Sequence, residues 1–180
     1  MVPTIFKILI AYEDFEAGIQ ARRLADSLAN RLGCDYRIQT DTWKFELLGH
    51  PRLRELIARA TGEADMLIIA ARGGELPAYV KGWLEAWASS HTSDPVVLVA
   101  LHNLQPDSEP MPEVSAPSLD EPPPLLAYLR AVAAQNRVDF FWCGKDSETE
   151  PLCCLESGFH HRYEALRQRP DRAATIADLR

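Results

Sequence analysis

The chain is poor in basic charge: 19 lysines and arginines stand against 26 aspartates and glutamates, a formal net charge of −7. Such a surface repels polyphosphates unless its cations cluster, and no basic cluster is visible, so no nucleic-acid partner is expected. The sequence also lacks an apolar run near the roughly 20 residues that a membrane helix needs. Its opening, "MVPTIFKILIAYED", has no positive segment ahead of the apolar stretch. These absences predict a cytoplasmic protein with no membrane contact. No CxxC pair occurs among Cys34, Cys143, Cys153 and Cys154, so reduced thiols rather than disulfides are expected. Adjacent Cys153-Cys154 and His160-His161 do not give the knuckle spacing of structural zinc, and no metal is predicted from them and Cys143. There is no Walker loop and no Ser-His-Asp order, and Gly73-Gly74 alone falls short of a GxGxxG fingerprint. No cofactor is predicted.

What is present is the composition of a packed domain, with 47% apolar and 25% charged residues in 180. "TIFKILIAY" (4 to 12) carries β-branched and aromatic residues without polar alternation except at Lys7, the pattern of a strand covered on both faces. Asp14 can cap a helix whose apolar positions Ala17, Ala21, Leu24, Ala25, Leu28 and Leu32 keep helical spacing, with Gly33 at its end. "CDYRIQTDTW" (34 to 43) alternates Tyr36, Ile38 and Thr40 with polar neighbours, which predicts an edge strand. Pro51 opens a second helix with Leu53, Leu56, Ile57 and Ala60 on one stripe.

"ADMLIIAA" (64 to 71) and "PVVLVAL" (95 to 101) read as fully buried strands. Between them Pro77 falls in the first turn of a helix carrying Val80, Trp83, Leu84 and Trp87 at i, i+3, i+4 and i+7. Residues 105 to 124 hold seven of the thirteen prolines and five acids without a base, an extended solvated loop. "PPLLAYLRAVAAQN" predicts a helix and "VDFFWC" a fifth strand. Five strands alternating with helices, the central ones uniformly apolar, specify an α/β three-layer sandwich over residues 1–145, with a five-stranded parallel sheet of order 2-1-3-4-5, flavodoxin-like. Residues 146–180 are left as a C-terminal tail with a short helix on "FHHRYEALRQR".

In that architecture ligands sit beyond the carboxyl ends of strands one and three. The residues predicted to line that place are Glu13, Asp14, Arg72, Gly73, Gly74, Glu75, His102 and Lys145. Glu13, Asp14 and Glu16 in "YEDFEAG" would repel a phosphate, which argues against FMN bound in the manner of a flavodoxin. An acidic pair there can hold a cation, although capping alone accounts for Asp14 and dipole compensation for Glu13. Arg72 with Gly73 and Gly74 can hold an anion ahead of the next helix, or the glycines can serve a turn that needs positive φ. Glu75 suits a helix start, and His102 ends strand four as a polar loop residue with no neighbouring nucleophile. Trp83 and Trp87, with Trp43 and Trp142, could stack a planar ligand, but a helical stripe reads as core.

The acidic pair, together with "ADMLIIAARGGELPAYVKGWLEAW" followed by "PVVLVAL", resembles the receiver domains of response regulators over roughly residues 5 to 145. That resemblance implies Mg²⁺ at the acids and an aspartyl phosphate at the end of strand three, where this chain has Ala70 and Ala71. It also implies a hydroxyl at the end of strand four, where Ala100, Leu101 and His102 stand, and a lysine after strand five, near which Lys145 lies. The expectation is a degenerate, non-catalytic receiver-like domain that acts in signalling through a protein partner or as a homodimer. Two alternatives stand beside it. TIR domains and nucleoside deoxyribosyltransferases share the fold class and use a glutamate after a central strand to cleave N-glycosidic bonds. "YEDFEAG" loosely resembles the TIR opening, and "WLEAW" supplies Glu85. On the helix, however, Glu85 falls well over about 100° from the apolar stripe and should face water. The other alternative is an anion- or nucleotide-binding flavodoxin-like protein.

Overall fold

The computed structural model describes residues 4–32, 36–72, 74–91, 96–102 and 123–143. Five strands, β1 (Thr4–Tyr12), β2 (Tyr36–Lys44), β3 (Met66–Ala70), β4 (Val97–Leu101) and β5 (Asp139–Cys143), form one all-parallel sheet in the order β2-β1-β3-β4-β5. The sequence-derived fold class and strand order are therefore what the structure has. The runs "MLIIA" and "VLVAL" are buried at every position, as expected of central parallel strands covered on both faces.

Alternation along the strands sorts their side chains into two cores. On one face Phe6, Ile8, Ile10, Met66, Ile68, Val97 and Val99 pack under α1 (Phe15–Leu32) through Ala17, Ala21, Leu24, Ala25 and Leu28. On the other, Leu9, Ala11, Leu67, Ile69, Leu98 and Ala100 pack under α4 (Ala78–Ser90) and α5 (Pro124–Asn136). Leu84 and Leu129 are fully buried there, and burying each such side chain stabilises the fold by about 1.5–3 kcal/mol. The edge strand β2 alternates exposed Arg37 and Gln39 with half-buried Ile38 and Thr40.

Several local expectations need correction. The residues "FELL" form a short helix, α2 (Phe45–Leu48), seated by buried Phe45. Pro51 opens a 3-10 turn, Pro51–Leu53, and α3 (Arg54–Gly62) starts only after it. Its inner positions are Ile57 and Thr61, while Leu56 is 58% exposed, because one residue of helix is a rotation of about 100°. Thr61 Oγ1 bonds back to the Ile57 carbonyl and accepts from Trp83 Nε1 at 3.1 Å. Pro77 is the N-cap of α4, one position ahead of the first turn. Trp87 is buried, Trp43 and Trp83 are half-buried, but Trp142 is 44% exposed. An apolar run can mark a core strand or an edge, and β5 is an edge.

Of the expected acidic loop from 105 to 124, residues 105 to 122 lie outside the described residues, while Pro123 is the N-cap of α5 and Pro124 its first residue. The tail from 146 also lies outside them, as do Gly33, Cys34, Cys153, Cys154, His160 and His161. Cys143 is buried. Among the described residues no helix is long and apolar enough to cross a membrane.

Candidate functional site

The carboxyl ends of β1 and β3 lie side by side, with Tyr12 in register with Ala70. Beyond that point the chain continues to pair. Glu13 N–H donates to the Ala70 carbonyl at 2.9 Å, Ala71 N–H to the Leu101 carbonyl at 3.1 Å, and His102 N–H to the Cys143 carbonyl at 3.1 Å. Ala70 is buried in the core under α1 and Ala71 in the core under α4 and α5. The methyl groups close the strand end and add no polar atom to it.

Arg72 follows at once, and here the two halves of the sequence-derived site meet. Its backbone N–H donates to Glu13 Oε2 at 3.0 Å, its Nε to Asp14 Oδ2 at 2.5 Å and its Nη2 to Glu16 Oε2 at 2.6 Å. The acids considered as a cation site and the arginine considered as an anion site are thus each other's partners. Asp14 does two jobs with two oxygens, since its Oδ1 accepts from Ala17 N–H at 2.9 Å and caps α1. The Ala17 N–H first, and the Arg72 guanidinium after it, hold the Asp14 carboxyl below the usual aspartate range. Asp14 in turn, with Glu16 adding its charge, pushes the Arg72 guanidinium up. Side-chain exposures of 37% for Asp14, 42% for Arg72 and 47% for Glu16 leave this cluster in partial contact with water, which screens it.

The other sequence-derived residues that the structure describes do not join the cluster. Gly74 has φ +103°, a conformation that side chains disfavour, which fits the turn role. Glu75 is 84% exposed and, among the described residues, its ion pair is with Lys81 Nζ, at 4.0 Å. His102 is half-buried, and burial holds its imidazole below the ordinary histidine range against an opposing bond from the Ala71 backbone. No hydrogen bond among the described residues links it to Glu13, Asp14 or Arg72. Gly73 and Lys145 lie outside the described residues. Glu85 faces outward as expected but is not idle: Tyr128 Oη donates to its Oε1 at 2.8 Å, tying α4 to α5. Burial, with the Glu85 carboxylate beside it, pushes the Tyr128 hydroxyl well above the usual tyrosine range.

Sequence reasoning missed two features. Glu16 was read only as a repulsive neighbour, and its pairing with Arg72, 56 positions away, leaves no local signal. The second is a shallow groove of about 320 Å³ beside the cluster, lined by Tyr12, Phe15, Gly18, Ile19, Arg22, Arg23 and Thr42. Phe15 is 77% exposed because the capping Asp14 sets the start of α1 and leaves its first residue on the outer side. A Cβ on Gly18 would come within 3.0 Å of the Tyr12 ring, so glycine is what lets that ring lie against the helix. Among the described residues no group of three His, Cys, Asp or Glu side chains is placed to hold a metal ion.

No protein-family model matches the chain, and a search of curated proteins finds no match either.

Proposed function

We propose that the chain is a non-catalytic receiver-like domain that works in signalling through protein contacts. The observation that carries this is the engagement of Arg72 with Glu13, Asp14 and Glu16. In a receiver the acids after the first strand bind Mg²⁺, and the metal positions a phosphoryl group over an aspartate on the third strand. Here a side-chain guanidinium supplies positive charge at the acids. At the end of β3, buried Ala70 and Ala71 offer no oxygen to phosphorylate. An arginine tethered through its own backbone N–H to Glu13 is a permanent counterion, so the charge state of this end of the sheet does not depend on a phosphodonor. A domain with that property presents one fixed surface, and its output is binding.

The test is incubation of the full chain with acetyl phosphate and Mg²⁺, followed by intact-mass measurement and repeated with NAD as substrate. The expected result is an unchanged protein mass and no loss of NAD. A covalent phosphoryl adduct, or hydrolysis of NAD that Asp14→Asn or Glu75→Gln abolishes, would overturn the proposal.

A further inference from the structure

α1 is too narrow for the face it lies on. An α-helix with its side chains is about 10–12 Å across, and neighbouring strands are about 4.8 Å apart. α1 packs over β1, with β2 on one flank and β3 on the other. β4 and β5 follow β3 in the sheet, which puts them about 10 and 14 Å from β1, at and beyond the margin of the helix. β2, a single spacing away, shows what α1 leaves uncovered. On the α1 side of β2, Ile38 and Thr40 are half-buried and Thr42 is exposed. The same face of the two farther strands is nevertheless shut. Val97, Val99 and Leu101 of β4 are buried, and Cys143 on the edge strand is 4% exposed.

Among the described residues no second helix accounts for that burial. Phe45 of α2, together with α4 and α5, packs on the opposite face, and α3 meets α4 through the Thr61–Trp83 hydrogen bond. The atoms that close β4 and β5 therefore belong to another part of the chain. Residues 33–35 and 92–95 are short links at the amino ends of β2 and β4. Residues 103–122 join β4 to α5, a helix of the other face, and burying their five carboxylates against valine would be costly. Residues 144–180 leave β5 at its carboxyl end, on the border of the face in question. We infer that residues 159–169 lie as a helix along β4 and β5 beside α1, with Phe159, Tyr163 and Leu166 turned to the sheet.

Pattern and size both fit. "FHHRYEALRQR" sets Phe159, Tyr163 and Leu166 at i, i+4 and i+7, one stripe of a helix, and places Glu164 and Gln168 on the far side. At 1.5 Å per residue that segment is about 16 Å long. β4 and β5 have five residues each, and at 3.3 Å per residue they are also about 16 Å long. The width of one helix matches two strands. Cys143 and half-buried Phe141 supply the edge of the face, and the valines of β4 its floor. The folded unit then runs past the boundary at 145 expected from the sequence, and this face is closed to partners by the chain's own residues. The inference goes beyond the proposed function and does not rest on it, although it sends the partner contacts of that proposal to other surfaces.

The experiment is thiol labelling of the full chain with Cys34, Cys153 and Cys154 replaced by serine, so that Cys143 reports on the face. It is joined by hydrogen exchange of the unsubstituted full chain, read by mass spectrometry. Tyr163→Asp puts a charge on the inward stripe, and Gln168→Asp puts the same charge on the opposite side of the helix. Cys143 should label at least about a hundredfold more slowly in the native chain than in urea. Tyr163→Asp should speed that labelling at least about tenfold, and Gln168→Asp should leave it unchanged. The amides of residues 159–169 should be protected from exchange as those of α1 are. Labelling of native Cys143 at the rate seen in urea overturns the inference. Equal labelling in the two variants, or exchange over residues 159–169 at the rate of an unfolded chain, does the same. Should Tyr163→Asp unfold the whole protein, the exchange pattern of the unsubstituted chain decides alone. A phosphoryl adduct formed with acetyl phosphate would sink the proposed function and leave this packing standing.

Discussion

Asp14 offers a clean dissection because its two oxygens do different work. Oδ1 caps α1 on Ala17 N–H, and Oδ2 takes the Arg72 Nε. Asp14→Ala removes both. Asp14→Asn keeps a capping oxygen, asparagine being as good an N-cap as aspartate, and removes only the charge. Loss of a cap costs about 1 kcal/mol, whereas the Arg72 pair is partly exposed and contributes less than its short contact suggests. Asp14→Ala should therefore be less stable than Asp14→Asn by about 1 kcal/mol, a gap of about 3 °C in Tm for a chain of this size. Asp14→Asn should stay closer to the native protein. Urea and thermal unfolding of the three proteins measure this directly. The sign with pH is fixed too. The folded Asp14 carboxyl lies below its ordinary value of 3.8, so its charge stabilises the fold above that value, and the benefit is lost as pH falls through the lower folded value. The stability advantage of the native protein over Asp14→Asn should thus be constant at neutral pH and shrink only below about pH 4. Equal losses in the two variants, or a greater loss in Asp14→Asn, would refute the division of labour.

Three further outcomes are expected. Burial holds the His102 imidazole below its ordinary value of 6.5, so stability should fall as pH drops from that value toward the lower folded one. Denaturation curves of His102→Gln should fall less over the same range. Gly74→Ala should cost about 1 kcal/mol in urea unfolding, because φ +103° is unfavourable for any side chain even though a Cβ there meets nothing within 4 Å. Arg137 closes α5 in the left-handed region, φ 58°, where glycine is the usual residue, so Arg137→Gly should stabilise by about 0.5 kcal/mol in the same assay.

The layering and strand order were legible because they depend on local pattern. Uniform burial leaves "MLIIA" and "VLVAL" without alternation, and one-sided solvation gives β2 its period of two. The cap of α1 was legible for the same reason, since Asp14 lies three residues from the N–H it accepts. The short helix Phe45–Leu48 was not, because four residues span barely a turn and show no period. Leu56 was misassigned because the 3-10 turn at Pro51 delays the helix and shifts the inward face. The central feature of the site was hidden for another reason. Both Arg72 and the acids of the first loop were picked out, but their union joins positions 58 apart, and only the register of β1 with β3 brings them together.

The most direct measurement of that union is the Arg72 Nε–H resonance, followed by proton–nitrogen NMR as Mg²⁺ is added to the full chain. A counterion held by Asp14 and Glu16 should give a signal protected from water exchange, lost in Asp14→Asn and unmoved by Mg²⁺. Saturable movement of that signal together with the Glu13 and Asp14 amides would show that the acids exchange the arginine for a metal, and would contradict the neutralised site.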